Sequence, residues 1–274
     1  MMPGRNLTAI NVALSAATGK QHRSQLSSAH IELHRHYIAL KDEHQTKISY
    51  LKSDVNDGTN YIFVHGTPGD ARTWTNYILD PVSNTKTIAL DRPGFGHSEP
   101  EDCVPDLGQQ AKAVRSLFPD DGSQVVLVGH SLGGAIVSLI AAECPDQVKG
   151  LVLLAASLDP LQEQIHPLQT LGNTKAIRTL LPRPLRNANT ELLGLKPQLV
   201  ELQPMLKNIT AKTIIVHGTK DDLVPYANVS YIQKHFISAS HLEVFSLEGV
   251  NHFLPRNSEP VIRHALIIAN SSGV

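Results

Sequence analysis

Short apolar runs that alternate with longer helical stretches constrain the fold of this chain more than any other feature of its sequence. The apolar runs, which predict strands, lie at residues 61–64, 87–90, 125–128, 151–155, 213–216 and 242–245. Between them, apolar residues recur at helical spacing at residues 71–79, 109–118, 132–143, 226–235 and 259–269. Because neighbouring parallel strands must be joined by a crossover, which is usually a helix, this alternation predicts a parallel sheet flanked by helices.

Two more strands are predicted ahead of the parallel set. Residues 34–40 and 47–52 flank the turn-like sequence Asp42-Glu43-His44, a pattern typical of an antiparallel hairpin. With this hairpin, the sequence predicts an α/β protein whose eight-stranded sheet is mostly parallel.

The sequence predicts a leader, a core and an inserted cap. The 274 residues suffice for one large α/β domain and are few for two independent ones. Residues 1–29 are polar, rich in Ser and poorly patterned, so we predict that this leader lies outside the core. Residues 158–210 are far longer than a plain crossover needs, which predicts a small helical cap. The core then comprises residues 30–157 and 211–274.

Composition argues against several classes of function. The 24 basic and 25 acidic residues are scattered along the chain, so no basic surface for nucleic acid is predicted. Cys103 and Cys144 lack metal-binding spacing, and the chain has no glycine-rich phosphate loop, so we expect no metal and no cofactor. No apolar run has the length of a membrane-spanning helix. We expect the protein in the cytoplasm, the alternative being export or membrane association through residues 1–29.

The motif Gly129-His130-Ser131-Leu132-Gly133 carries the clearest chemical signal. It matches G-x-S-x-G and lies directly between a predicted strand and a predicted helix. A sharp turn at this junction projects the serine hydroxyl into a cleft, and the flanking glycines relieve the crowding that such a turn causes. The alternative is an ordinary turn serine, but the strand-to-helix context favours Ser131 as a nucleophile.

Two further motifs extend this signal. The sequence His65-Gly66-Thr67-Pro68-Gly69 follows the third predicted strand, and Asp91-Arg92-Pro93-Gly94-Phe95-Gly96-His97-Ser98 follows the fourth. With the serine motif, they make the chain resemble the α/β-hydrolase family, in the branch with a serine nucleophile. The resemblance covers about residues 33–270 in the order of its motifs and is weak across the cap. It implies an α/β-hydrolase fold.

A neutral serine needs a base and a group that orients this base. The turn Gly218-Thr219-Lys220-Asp221 resembles the family's acid turn, in which the carboxylate comes three residues after the glycine, and this implies Asp221 as the acid. Asp222 and Asp159 are the rival acids, Asp222 with a helix cap as its alternative role. The base is expected after the last strand, where His252 completes the chain order Ser, Asp, His.

Acyl transfer also needs donors that stabilise the oxyanion of the tetrahedral intermediate. The resemblance implies the backbone amides of Thr67 and Leu132 for this oxyanion hole. His65 is expected to brace the loop of Thr67 rather than react. His130, which precedes the nucleophile, is expected to line the substrate pocket.

A serine nucleophile forms an acyl-enzyme, so hydrolysis of a small or medium carboxylic ester is the simplest function. A thioesterase, an amidase, a perhydrolase or a carbon–carbon bond hydrolase could use the same triad. A non-catalytic ligand-binding member of the fold is the alternative outside the enzyme class. The Leu-rich cap would supply an aliphatic wall to an acyl substrate, with Met205 as an adaptable contact, unless its leucines only pack the cap onto the core.

Overall fold

Eight strands form one sheet in the computed structural model, which describes residues 33–55, 57–164 and 167–271. The strands are β1 (Arg35–Ala39), β2 (Lys47–Lys52), β3 (Thr59–Val64), β4 (Thr85–Leu90), β5 (Val125–His130), β6 (Val148–Leu154), β7 (Lys212–Gly218) and β8 (Leu242–Leu247). Their order in the sheet is β1-β2-β4-β3-β5-β6-β7-β8. The hairpin strands β1 and β2 run antiparallel to their neighbours, and all other pairs are parallel. The prediction of an eight-stranded, mostly parallel sheet is confirmed.

Helices cover both faces of the sheet. They are α1 (Thr75–Leu79), α2 (Leu107–Arg115), α3 (Leu132–Glu143), α4 (Pro167–Gly172), α5 (Lys175–Leu180), α6 (Arg183–Leu202), α7 (Ala227–His235), α8 (Leu254–Asn257) and α9 (Glu259–Asn270). Ile62 and Leu127 pack into one hydrophobic cluster with α2, α3 and α7, whereas Phe63 and Val128 pack into a second cluster with α1 and α9. Because successive side chains of a strand point to opposite faces, this alternation builds two apolar layers around one sheet.

Several element boundaries differ from the predictions. The helix predicted at 71–79 begins as a 3₁₀ helix, Ala71–Trp74, before the short α1. Strand β6 ends at Leu154 because Ala155 adopts a positive φ of 46°. Such a backbone angle is rare for a residue with a side chain and ends regular extended structure.

The segment predicted as a cap, 158–210, contains α4, α5, α6 and a 3₁₀ helix at Gln203–Asn208. Leu199, Leu202 and Leu206 belong to the same hydrophobic cluster as α3. The last part of this segment therefore packs directly on the core, and the division into core and cap stays a prediction. The predicted leader, residues 1–29, lies outside the described residues, so the expected location in the cell stays a prediction. Among the described residues, no helix is long and apolar enough to cross a membrane.

Candidate active site

Ser131 occupies a strained turn between β5 and α3. Its φ of 55° and ψ of −125° are unusual for a residue other than glycine, and neighbouring backbone holds them in place. The Ser131 amide donates to the carbonyl of Leu154 at 3.0 Å, and its carbonyl accepts from Ser157 at 3.2 Å. A Cβ at Gly129 would lie 2.5 Å from the Gly133 carbonyl oxygen, so only glycine fits the approach of strand and helix.

His252 and Asp221 form a buried pair beside this turn. His252 lies between β8 and α8, and Asp221 lies between β7 and α7. His252 Nδ1 is 2.7 Å from Asp221 Oδ2. Because the ionised carboxylate only accepts hydrogen bonds, Nδ1 must donate, which leaves Nε2 of a neutral His252 without a proton. That nitrogen has the form that a general base requires.

The acid turn holds the Asp221 carboxylate in place. Asp221 Oδ1 accepts the backbone amides of Leu223 at 3.0 Å and Val224 at 2.8 Å. Burial alone would raise the pKa of Asp221, but the bonds from His252 and Val224 keep it below its ordinary value. The nearby His217 donates Nε2–H to the Val224 carbonyl at 2.9 Å and so ties the end of β7 to this turn.

The rival acids lie in other surroundings. Asp222 is exposed at the cavity rim. Asp159 Oδ1 accepts the Leu161 amide at 2.9 Å and so closes the turn that follows β6. No contact of either carboxylate with His252 is found among the described residues, so the geometry pairs the histidine with Asp221.

His130 connects the serine turn to the loop of His252. Its Nε2–H donates to the His252 carbonyl at 3.0 Å, and the two imidazole rings lie 4.7 Å apart between centroids. Burial, reinforced by His252, lowers the pKa of His130 to about 4. His130 is therefore a neutral neighbour of the site at physiological pH, and it lines the cavity.

Thr67 and Leu132 line the cavity, and no acceptor for either backbone amide is found among the described residues. Leu132 is the first residue of α3, where the amides have no partner within the helix. The loop of Thr67 is braced by its neighbours, since His65 Nδ1–H donates to the Gly66 carbonyl at 2.7 Å and Arg92 binds the carbonyls of His65 and Gly66. This agrees with a bracing role for His65.

One cavity of about 970 Å³ contains Ser131, His252, Thr67 and Leu132 in its wall. Its size is that of a pocket for a small organic ligand. Met205 does not line it but packs against the hydrophobic core, so the structure does not bring this predicted contact to the site. No hydrogen bond joins the Ser131 hydroxyl to His252 among the described residues, and such bonds often tighten only when substrate binds.

Ser157 and Glu163 are cavity residues that the sequence did not predict. Both line the cavity, and the Ser157 hydroxyl donates to the Glu163 carboxylate. The only signal available for Ser157 was its position after the sixth strand, because parallel strands end at the same edge of the sheet, and Glu163 carried no signal beyond its place in the predicted cap. No cluster of three or more His, Cys, Asp or Glu side chains suited to a metal occurs in the described part of the chain.

A mostly parallel eight-stranded sheet with a strained serine after β5, an aspartate after β7 and a histidine after β8 is typical of the α/β-hydrolase class of enzyme. The chain belongs to the alpha/beta hydrolase family, whose profile matches residues 61–263. The predicted fold class is thus confirmed, and the chain is an enzyme of this class by its family.

Curated relatives carry several names. The chain is 34% identical over 229 residues to the dihydrolipoyllysine-residue acetyltransferase component of the acetoin cleaving system from Cupriavidus necator. This match covers 70% of the chain but only 60% of that relative. The chain is also 31% identical over 204 residues to the pimeloyl-[acyl-carrier protein] methyl ester esterase of Citrobacter koseri. This second match covers 60% of the chain and 76% of that relative.

Solved structures share the fold. The epoxide hydrolase CorEH superposes with a TM-score of 0.69 at 19% identity, covering 87% of this chain and 98% of that chain. The hydrolase BphD from Rhodococcus sp. strain RHA1 gives a TM-score of 0.66 at 18% identity, covering 86% and 98%. At these identities the likeness concerns the fold alone.

Proposed function

We propose that the protein hydrolyses small or medium carboxylic esters through an acyl-enzyme on Ser131. The observation that carries this proposal is the buried pair of His252 Nδ1 and Asp221 Oδ2, 2.7 Å apart, with His252 and Ser131 in the wall of one cavity. The name of the Citrobacter koseri relative, a methyl ester esterase, supports the same reaction class.

In the first half of this mechanism, His252 Nε2 takes the hydroxyl proton of Ser131 while Oγ attacks the ester carbonyl carbon. The carbonyl oxygen becomes an oxyanion, which the amides of Thr67 and Leu132 stabilise. The bond to the alcohol oxygen then breaks, and this oxygen takes the proton from His252. The alcohol leaves, and the acyl group stays on Ser131.

In the second half, His252 removes a proton from water, whose oxygen attacks the acyl carbon. The new oxyanion collapses, the bond to Ser131 breaks, and the serine oxygen recovers its proton from His252. Asp221 stays ionised throughout, since it orients the imidazole and stabilises its charged form. The depressed pKa of Asp221 is consistent with this role.

We propose that residues 158–210 cover the site as a cap. Their contribution to the cavity wall supports this proposal, and it comprises Gln162, Glu163, Gln164, Gln169, Leu192 and Leu195. This wall mixes polar and aliphatic side chains, so the substrate needs polar groups as well as an acyl chain.

Turnover of a panel of acyl esters, thioesters and amides tests the reaction class. We expect the esters to react fastest, and Ser131→Ala to lower kcat/KM at least about 10³-fold, because the oxyanion hole alone cannot replace the nucleophile. Ser138→Ala, a buried serine on α3 outside the cavity, is the matched control. Activity of Ser131→Ala within about tenfold of wild type would contradict the proposal. A preference for thioesters or amides would change the substrate class but keep the nucleophile.

A further inference from the structure

A carboxylate lies in the wall of the cavity that contains Ser131. Glu163 lines the cavity and accepts a hydrogen bond from the Ser157 hydroxyl. The Ser157 amide donates in turn to the Ser131 carbonyl at 3.2 Å. Ser157 thus connects the carboxylate of Glu163 to the backbone of Ser131, the proposed nucleophile. These two hydrogen bonds hold the carboxylate in a fixed position relative to a bound ester.

No cation neutralises this carboxylate within the part of the chain that the structure describes. No salt bridge of Glu163 within 4.0 Å is found among the described residues. Burial raises the pKa of Glu163, the Ser157 hydroxyl and Lys196 oppose this shift, and Asp159 adds to it. Lys196 is exposed, and its Nζ lies 3.5 Å from the backbone carbonyl of Glu163 rather than against the carboxylate.

The other residues of the cavity wall do not offset the negative charge of Glu163. Its other described carboxylate is Asp222, and its cation is Arg256, both of which are exposed at the rim. Gln162 and Gln164, beside Glu163, add side-chain carbonyl oxygens that accept hydrogen bonds. Burying an anion in part without a partner costs free energy. A positively charged group of a ligand would therefore bind this wall more favourably than a neutral or negative one.

We infer that Glu163 is a specificity-determining residue that selects esters with a positively charged group, such as an ammonium. This inference rests on the proposed ester hydrolysis and names its substrate class. The charge belongs to either the alcohol or the acyl part of the ester. Glu163 takes no part in proton transfer in this account, since His252 and Ser131 perform that step.

Pairs of esters with the same shape test the inference. For the alcohol part, butyrylcholine is compared with 3,3-dimethylbutyl butyrate, which replaces the charged nitrogen by carbon. For the acyl part, methyl 4-(trimethylammonio)butanoate is compared with methyl 5,5-dimethylhexanoate. We expect wild type to favour the charged ester about tenfold in kcat/KM for at least one pair, and this ratio to fall as salt is added.

Glu163→Gln keeps an acceptor for Ser157 but removes the charge, so we expect the ratio for that pair to fall to near one. Glu201→Gln, which removes an exposed charge from α6 outside the cavity, should leave the ratio unchanged. A wild type that hydrolyses the neutral esters without preferring a charged one overturns the inference but keeps the proposed function. A ratio that falls in Asp222→Asn and not in Glu163→Gln also overturns it. If no ester reacts, the proposed function fails and the inference fails with it.

Discussion

The position of one proton on His252 decides what the site can do. In the proposed mechanism, Asp221 fixes this proton on Nδ1, which leaves Nε2 to accept the proton of Ser131. The carboxylate itself is held by the amides of Leu223 and Val224, so its direction does not depend on solvent. The acid turn therefore sets the tautomer of the base.

Replacement of the three candidate acids separates their roles. We expect Asp221→Asn to lower kcat on the order of 10⁴-fold, since the amide can donate to Nδ1 and favour the wrong tautomer. Asp222→Asn should have a small effect, because this carboxylate is exposed at the rim. The measurement is kcat on one neutral ester, with circular dichroism as the control for folding. If Asp159→Asn proved the damaging change, the acid would follow β6 instead.

His130 should make the protein sensitive to acid. Its pKa is about 4 in the folded state, whereas an unfolded histidine has a value near ~6.5. The unfolded chain therefore binds a proton first as the pH falls, and folding stability is lost between these two values. We expect His130→Gln, which can still donate to the His252 carbonyl, to flatten this loss.

Urea unfolding at pH 7.5 and pH 5 measures this effect for wild type, His130→Gln and the exposed control His44→Gln. The difference in unfolding free energy between the two pH values should shrink only in His130→Gln. An equal pH dependence in all three proteins would show that His130 is not the group that titrates.

At the scale of elements, a buried ion pair connects α6 to the loop of Thr67, the proposed oxyanion-hole residue. Arg92 Nη1 lies 2.6 Å from Glu191 Oε1, and the two side chains are 0% and 2% exposed. The same guanidinium binds the carbonyls of His65 and Gly66, directly before Thr67. Helix α6 therefore supports the loop that contains Thr67.

Removing the charge of Glu191 should destabilise the fold. In Glu191→Gln the buried guanidinium of Arg92 loses its counter-ion, which we expect to lower the free energy of unfolding by about 3 kcal/mol. Glu201→Gln, on the same helix but exposed, should change it by less than about 0.5 kcal/mol. Urea denaturation measures both values. A Glu191→Gln variant as stable as the control would show that the pair contributes little.

The sequence predicted well those elements whose burial leaves a pattern of apolar residues along the chain. The apolar runs 125–128 and 214–216 lie within β5 and β7, and the glycines around Ser131 mark the turn that follows β5. Contacts between residues far apart in the sequence leave no such pattern, so they could not be predicted. Arg92 and Glu191 pair although they are 99 residues apart in the sequence. Met205 follows α6 and packs against the core. These contacts follow from tertiary packing, which a pattern along the chain does not record.

At the scale of the whole molecule, the sheet brings distant residues together at one of its edges. Ser131, Asp221 and His252 follow β5, β7 and β8, and parallel strands end at the same edge of a sheet. Both layers of helices bury their apolar sides against this sheet, which keeps the loops at its edge in place. The site is thus a property of the complete sheet and not of a single motif.

Labelling with a fluorophosphonate, followed by peptide mass spectrometry, tests the central claim most directly. This reagent forms a covalent bond with an activated serine, so we expect one adduct per chain, located on Ser131, with ester turnover lost in proportion to labelling. His252→Ala should react far more slowly, because the serine is no longer activated. Full ester turnover in a chain fully labelled at Ser131, or loss of turnover through an adduct on another residue, would contradict the account.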